Sequence, residues 1–313
     1  MRVICLAYQL VGHMGLSYFL DETDDEVVAV FTHEDSPGEE IWWPSVAEKA
    51  RAAGVPVHTT ENLSDPATVQ QIRDLEPAFI FSFYYRNMVG REILDIPPGG
   101  ALNLHGSLLP SYRGRAPVNW VLVNGETRSG MTLHYMVEKA DAGDIVGQAF
   151  IPIESRDTAM DLYRKMAPAG LDVLRAAWPL LREGKAPRVV QDTGWATYYG
   201  RRGPEDGRFE WDWACQRIDN LVRAVTHPYP GAFVAYGGRK LLLWDALPVP
   251  GRLLPSPPPP GSVVACCDEG FEVATGEGGL LVRRVQLEGE EELSGVHFAE
   301  RHGPKPGDLL GTA

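Results

Sequence analysis

Residues 101–144 read ALNLHGSLLPSYRGRAPVNWVLVNGETRSGMTLHYMVEKADAGD, and the rest of the chain is understood from this stretch. Ala101 to Leu104 is a short apolar run of strand type. Asn103 and His105, two positions apart at its end, leave one face of that strand. Gly106 frees the backbone, and SLLPSYRGRAP, broken by Pro110, Gly114 and Pro117, reads as a loop. VNWVLVNGE is a short helix with apolar Trp120, Val121 and Val123. MTLHYMV alternates and is rich in β-formers, which makes it a strand, and KADAGD is a polar loop holding Asp141 and Asp144.

An Asn, a His and an Asp on neighbouring strand ends form a chemical set. The amide donates to a developing oxyanion. The imidazole moves a proton near neutral pH. A nearby carboxylate orients the imidazole and raises its pKa. The set suits acyl transfer to an amine. No serine or cysteine elbow stands beside the histidine, which favours direct transfer over a covalent intermediate. By spacing alone, Asn-x-His on a strand is more often ordinary polar surface.

The chain has 313 residues, a length that fits about two domains. Its apolar fraction of 44% is ample for packed cores. A formal net charge of −13 argues against a large basic surface for nucleic acid. Cys5, Cys215, Cys266 and Cys267 show no metal-ligand spacing and read as reduced thiols of a cytosolic protein. MRVICLAY is strand-like rather than a leader, and no apolar run reaches membrane-spanning length.

Before residue 101 the pattern is βαβα. Strands are expected at Arg2 to Tyr8, Glu26 to Thr32, VPVHTT and AFIFSFYY. Gly12 and Gly15 suggest a tight strand-to-helix turn, and their spacing is only a weak nucleotide-binding signal. Asp65 and Pro66 start a helix. This order predicts a parallel sheet covered on both faces, with ligands beyond the strand carboxyl ends. Those ends are Phe83 to Val89, Asn103 to Gly106 and Val137 to Asp141. IVGQAFIPIE is a further strand, and 157–184 is a long amphipathic helix broken by Pro168. The domain boundary is expected near 200, giving a catalytic domain at 1–200 and a second domain at 201–313. After a helix at WDWACQRIDNLVRAVTH come five short strands at regular spacing, which predicts a small antiparallel barrel. VPGRLLPSPPPPG is a stiff proline-rich surface loop whose polyproline bias would also suit an SH3-like partner.

Asn103-x-His105, the run from Ser107 to Pro110 with Arg113, Gly114 and Pro117, and Asp141-x-Gly143-Asp144 resemble the signature of the folate-dependent formyltransferases. That resemblance implies a Rossmann-like α/β catalytic domain and a smaller β-barrel-like, OB-like C-terminal domain. Arg223-Ala224 and Pro228 to Ala232 resemble the family's entry into the second domain. The implied donor is N10-formyltetrahydrofolate, with no metal. Asn103 would stabilise the tetrahedral oxyanion, His105 would act as general acid and base, and Asp141 would hold and tune His105. Asn87, Met88, Val89, Arg115 and Val137, Glu138, Lys139, Ala140 and Asp141 would line the folate site.

Within the family, FTHEDSPGE (31–39), FSFYYR (81–86), YRGRAP (112–117), NWVLVNGET (119–127) and Gly200-Arg201-Arg202 resemble the enzymes that formylate UDP-4-amino-4-deoxy-L-arabinose, a lipid A precursor linked to polymyxin resistance. The bifunctional enzyme of that group carries a decarboxylase domain that is not expected in this chain, so a stand-alone enzyme acting on another nucleotide-linked 4-amino sugar is the alternative to the arabinose substrate. Methionyl-tRNA formyltransferases share the architecture but carry a basic stretch where this chain has Glu34, Asp35, Glu39 and Glu40. The expected substrate is therefore a small nucleotide sugar, without nucleic acid or membrane partners, and a homo-oligomer is compatible with it. Arg201 and Arg202 would meet the diphosphate, though an Arg pair in a linker reads equally as a solvated salt bridge. Tyr84 would contact the substrate, though aromatics at strand ends are more often core. A folate- or sugar-nucleotide-binding module without catalysis is a second class of reading, against which the intact Asn103, His105 and Asp141 set argues.

Overall fold

The computed structural model describes residues 1–35, 40–60, 62–249 and 258–311. The middle of the acidic loop, 36–39, and most of the proline-rich stretch, 250–257, lie outside the described residues. Two compact units emerge. The first comprises Met1–Pro117, Arg128–Ile153 and Tyr163–Gly200; the second comprises Val118–Thr127, Glu154–Leu162 and Arg201–Ala313. The second unit thus includes two segments that a single cut at 200 would assign to the first.

The chain runs β1 (Arg2–Ala7), α1 (Gln9–Asp21), β2 (Glu26–Thr32), α2 (Val46–Ala52), β3 (Val57–Thr59), α3 (Pro66–Asp74), β4 (Phe79–Phe83), α4 (Arg91–Leu94) and β5 (Ala101–His105). It continues through β6 (Arg113–Gly114), α5 (Pro117–Val123), β7 (Arg128–Tyr135), β8 (Ile145–Pro152), α6 (Ala159–Arg182) and β9 (Tyr198–Tyr199). The main sheet of the first unit has the order β3-β2-β1-β4-β5-β7-β8. Strands β1 to β5 pair in parallel. Their uninterrupted apolar sequences reflect burial on both faces. On one face Trp178 of α6 packs edge-on against Phe19, Phe79 and Phe81. Ile4, Leu6, Phe31, Ile72, Ile80 and Ile93 belong to a second apolar cluster, against which Leu94 and Met136 pack.

Several sequence expectations change here. The sheet is mixed rather than wholly parallel: β7 pairs antiparallel with β5, and β8 antiparallel with β7. The carboxyl end of β7 therefore emerges beside the amino end of β5, with Tyr135 opposite Leu102. The loop at 136–144 doubles back from there to bring Asp141 to the active face. Gly12 and Gly15 are helical, not in a turn; a Cβ on Gly15 would meet the Phe83 ring at 2.8 Å, so the glycines let α1 lie close on the sheet. Helix α6 is continuous through Pro168 and Pro179. The start of α3 is as read: the Asp65 carboxylate accepts the Thr68 N–H, with Pro66 first in the helix.

The second unit contains α7 (Cys215–Val225), β10 (Ala232–Tyr236), β11 (Arg239–Val249), β12 (Val263–Cys267), β13 (Gly270–Ala274), β14 (Gly279–Leu287), β15 (Glu292–Ser294) and α8 (Gly295–His302). Its antiparallel sheet runs β10-β11-β14-β13-β12, with β15 added beside β14. Strand β15 and helix α8 have no counterpart in the sequence reading. The buried Asp219 carboxylate pairs with Arg223 at 2.9 Å and Arg156 at 3.0 Å, and the Asn119 amide donates to the Ala224 carbonyl at 2.8 Å. These bonds hold the 118–127 and 154–162 segments to α7. Cys266 and Cys267 are free and exposed on β12, whereas Cys5 and Cys215 are free and buried. Among the described residues no helix is long and apolar enough to cross a membrane.

Candidate active site

The seam between β5 and β7 carries the polar groups of the first unit. Asn103 lies opposite His134, and His105 opposite Thr132, in antiparallel register. The SLLP loop is tied down from below. Thr132 Oγ1 donates to the Ser107 carbonyl at 2.6 Å and accepts from Leu109 N at 3.2 Å, and Ser107 Oγ donates to the Ser111 carbonyl at 2.7 Å. The loop then forms β6, which pairs with β9, so that Gly114 lies opposite Tyr199. Gly114 has φ 98, and a Cβ there would run into the Tyr199 carbonyl oxygen. Glycine is thus required where Gly114 N donates to Asp141 Oδ2 at 2.8 Å.

Asp141 is the hub. Its Oδ1 stands 3.3 Å from Asn103 Nδ2 and 3.5 Å from both His105 Nδ1 and His134 Nε2. Its backbone is left-handed at φ 53, a conformation that Asp tolerates better than most residues. Two positions on, a Cβ at Gly143 would collide with the Tyr135 carbonyl, which explains the glycine of the Asp-x-Gly-Asp run.

The tautomers follow from the partners. His105 Nε2–H donates to the Tyr112 carbonyl at 2.8 Å, which can only accept. The nitrogen left open to take up a proton is therefore Nδ1, facing Asp141. Its 3.5 Å separation from Oδ1 is longer than a formed N–H···O bond and fits an unprotonated Nδ1. His134 is the reverse: Nδ1–H donates to the Tyr135 carbonyl at 2.8 Å, leaving Nε2 to accept from Asn103 at 3.3 Å.

Burial is the main influence on His105 and pushes its pKa below the ordinary value; Asp141 and the Tyr112 carbonyl pull it up, and His134 lowers it further. The carboxylate thus acts with the expected sign, but the net shift is downward, contrary to the raised pKa read from the sequence. The reason is that His105 is almost fully enclosed. Burial alone would raise the Asp141 carboxyl, but His105, His134 and the Gly114 N–H outweigh it and hold Asp141 well below the usual carboxylate range. The resting site is an ionised Asp141 beside a neutral His105 whose Nδ1 can take up a proton.

Asn103, His105 and Asp141 are brought together as the sequence proposed. His134 was missed. Its signal was the alternation of MTLHYMV, which puts Thr132 and His134 on one strand face. Gln191 was also missed; its amide donates to the Asp141 carbonyl at 2.8 Å and the Gly143 carbonyl at 2.6 Å.

Of the other sequence candidates, Arg115 is exposed and donates to the Arg86 carbonyl at 3.2 Å, which puts it beside Asn87, Met88 and Val89. Met88 is exposed, while Val89 joins the apolar cluster. Val137, Glu138 and Lys139 are exposed on the Asp141 loop, and Ala140 is half-buried. A cleft of about 230 Å³ is lined by residues including Leu94, Ala101, Met136, Val137, Asp144 and Arg188. The Tyr84 hydroxyl lies against Gly106, where a Cβ would strike it. Arg201 and Arg202 belong to the second unit; Arg202 stacks 4.5 Å over the Trp120 ring and donates to the Asp206 carbonyl at 2.7 Å. Among the described residues no group of three or more His, Cys, Asp or Glu is arranged to hold a metal ion.

A family model described as "Formyl transferase" matches residues 16–177. A second, "Formyl transferase, C-terminal domain", matches residues 202–303. The chain belongs to the formyl transferase family. This formyltransferase, an enzyme that transfers formyl groups, is similar in fold to several solved structures. WlaRD, a sugar 3N-formyl transferase determined with dTDP and 5-N-formyl-THF, is 17% identical with a TM-score of 0.70, over 93% of this chain and 99% of that one. An N-formyltransferase from Helicobacter canadensis, in complex with folinic acid and dTDP-3-aminofucose, is 19% identical with a TM-score of 0.70, over 90% of this chain and 98% of that one. HypX from Aquifex aeolicus, in complex with tetrahydrofolic acid, is 17% identical with a TM-score of 0.61, over 100% of this chain and 51% of HypX. The formyltransferase described here therefore spans about half the length of HypX. At these identities the likeness is one of fold.

Proposed function

We propose that the enzyme transfers a formyl group from N10-formyltetrahydrofolate to the 4-amino group of a nucleotide-linked sugar, with UDP-4-amino-4-deoxy-L-arabinose the first candidate. The observation that carries this reading is the convergence of Asn103, His105 and Asp141 on one atom-scale site at the β5–β7 seam. The cleft, with Leu94, Met136 and Val137 on its walls and Asp144 and Arg188 among its polar groups, would take the pterin ring. Val137 to Ala140 and Asn87 to Val89 would border the folate, with Arg115 beside them. The carbonyl of Asp141 is already bonded to Gln191, so its share in the site is its carboxylate.

The bound donor would supply an electrophilic formyl carbon. Asn103 Nδ2 stands 3.3 Å from both His134 Nε2 and Asp141 Oδ1, and an N–H shared between them would leave the other to donate to the formyl oxygen as negative charge develops there. Nδ1 of His105 takes the proton released by the attacking amine and returns it to the departing nitrogen. Asp141 stabilises the imidazolium during that interval. Neutral His105 at rest is what proton removal requires, and the depressed pKa supplies it.

The acceptor assignment rests on the sequence likeness, on the acidic Glu34 and Asp35 where a tRNA enzyme would be basic, and on the sugar substrates named for two structural relatives. The cytosol, where the folate donor would be found, is the compartment this reading implies. Mass spectrometry of parallel reactions tests it. The protein and N10-formyltetrahydrofolate are offered UDP-4-amino-4-deoxy-L-arabinose, other nucleotide 4-amino sugars, and charged initiator tRNA. Formylation of the arabinose substrate is the expected result. Product only on another sugar redirects the substrate, and product only on tRNA overturns the sugar assignment.

A further inference from the structure

Beneath the Asp141 loop lies a polar group that the transfer chemistry does not use. Arg113 is 1% exposed, yet among the described residues its guanidinium forms no ion pair with a carboxylate. Instead Nε and Nη2 both donate to Gln191 Oε1, at 3.1 and 2.6 Å, and Nη1 donates to the Tyr198 hydroxyl at 2.6 Å. Gln191 is itself 6% exposed. Two donors on Oε1 fix which end of its amide is oxygen. Nε2 must then point the other way, where its two N–H groups reach the carbonyls of Asp141 and Gly143.

A buried guanidinium without a counter-charge is costly, and so is an amide that loses its partners in such a site. A fully bonded arrangement therefore has essentially one geometry. It grips the backbone on both sides of Ala142, next to the left-handed Asp141. The neighbouring residue of the same β6 strand, Gly114, holds the Asp141 carboxylate from the other side. One short strand thus fixes Asp141 twice: directly through Gly114 N, and at the main chain through Arg113 and Gln191.

We infer that Gln191, locked by Arg113, is a positioning residue that sets the orientation of Asp141 toward His105. The inference rests on the proposed reading that Asp141 serves His105 in formyl transfer, and it is tested so that the two are separable.

Gln191→Glu keeps the volume and the acceptor for Arg113 but removes both N–H groups that hold the loop. In the full-length protein kcat is expected to fall about 10- to 100-fold, since small misplacements of a catalytic group carry costs of that order. The KM for the folate donor should change by less than about 3-fold, as uniform binding is not what is lost. The His105 titration, followed by histidine NMR, should move to lower pH. That shift opposes the direction in which an added carboxylate would act by charge alone. Adding Gln191→Glu to Asp141→Asn should cost less than about 3-fold further, because the two act through one group.

An unchanged or upward His105 titration overturns the inference, as does full additivity with Asp141→Asn. Tyr198→Phe loosens Arg113 from the partly exposed end and should move kcat and the titration in the same directions by a smaller amount. It decides the matter if Gln191→Glu does not fold, and wild-type behaviour in Tyr198→Phe would then overturn the inference. Absence of transfer by the wild-type protein would sink the functional reading, while the NMR titration would still decide the positioning role.

Discussion

His134 stands directly across the β5–β7 seam from Asn103, with its Nε2 3.3 Å from the Asn103 amide nitrogen. The histidine therefore fixes which end of the amide is nitrogen, turning Nδ2 rather than the carbonyl oxygen toward His134 and Asp141. Asn103→Ala is expected to lower kcat about 100- to 1,000-fold, the usual loss for one oxyanion donor. Steady-state kinetics on the folded variant checks this, and near-wild-type turnover would remove Asn103 from the chemistry.

The same seam ties the His105 titration to one carboxylate. Asp141 raises the His105 pKa. Asp141→Asn should therefore shift the His105 titration to lower pH. Histidine NMR resolves it, and an unchanged or upward shift would contradict the electrostatic arrangement.

Acid stability follows from the same group. A histidine whose folded pKa is depressed is protonated first in the unfolded chain, so stability is highest above the unfolded value of about 6.5 and declines as pH falls below it. The melting temperature is expected to drop between about pH 7 and pH 5 in the wild type, and to drop less in His105→Gln, which has no such proton to bind. Calorimetry across that window is the test. Asp141 adds an acid-sensitive contribution only at lower pH, since its depressed pKa keeps it ionised throughout this range.

Gly143 offers a steric test. A methyl group there meets the backbone carbonyl of Tyr135, an atom that cannot swing aside. Gly143→Ala is expected to destabilise the first unit by about 1–3 kcal/mol, the range typical of overpacking, and to lower turnover by displacing Asp141. Thermal melts with parallel kinetics would show it, and an unperturbed melt with full activity would contradict the close approach.

The strands flanking the site were legible because their character is local. The apolar run of AFIFSFYY and the alternation of MTLHYMV declare strands without reference to anything distant. Asn103, His105 and Asp141 stood out as candidates because long motifs surround them. The direction of β7 was not legible, because the alternation of a half-buried strand is the same whichever way it pairs. His134 passed as one more strand residue, since its meaning depends on that antiparallel register. Gln191 lies 50 positions from Asp141 in a segment of ordinary polar composition, and nothing in its neighbourhood reports which backbone it holds. The sign of the His105 shift escaped for a similar reason: a nearby carboxylate can be guessed from motifs, whereas the depth of burial that outweighs it arises only on folding.

The left-handed backbone of Asp141 has a consequence for how this enzyme is dissected by mutation. One residue supplies both a charge and a bend, and side chains other than Gly, Asn and Asp resist that bend by about 1–2 kcal/mol. An alanine at 141 would remove the carboxylate and relax the turn together, so its phenotype would mix chemistry with geometry. Asparagine subtracts the charge while keeping the size of the side chain and leaving the path of the chain in place.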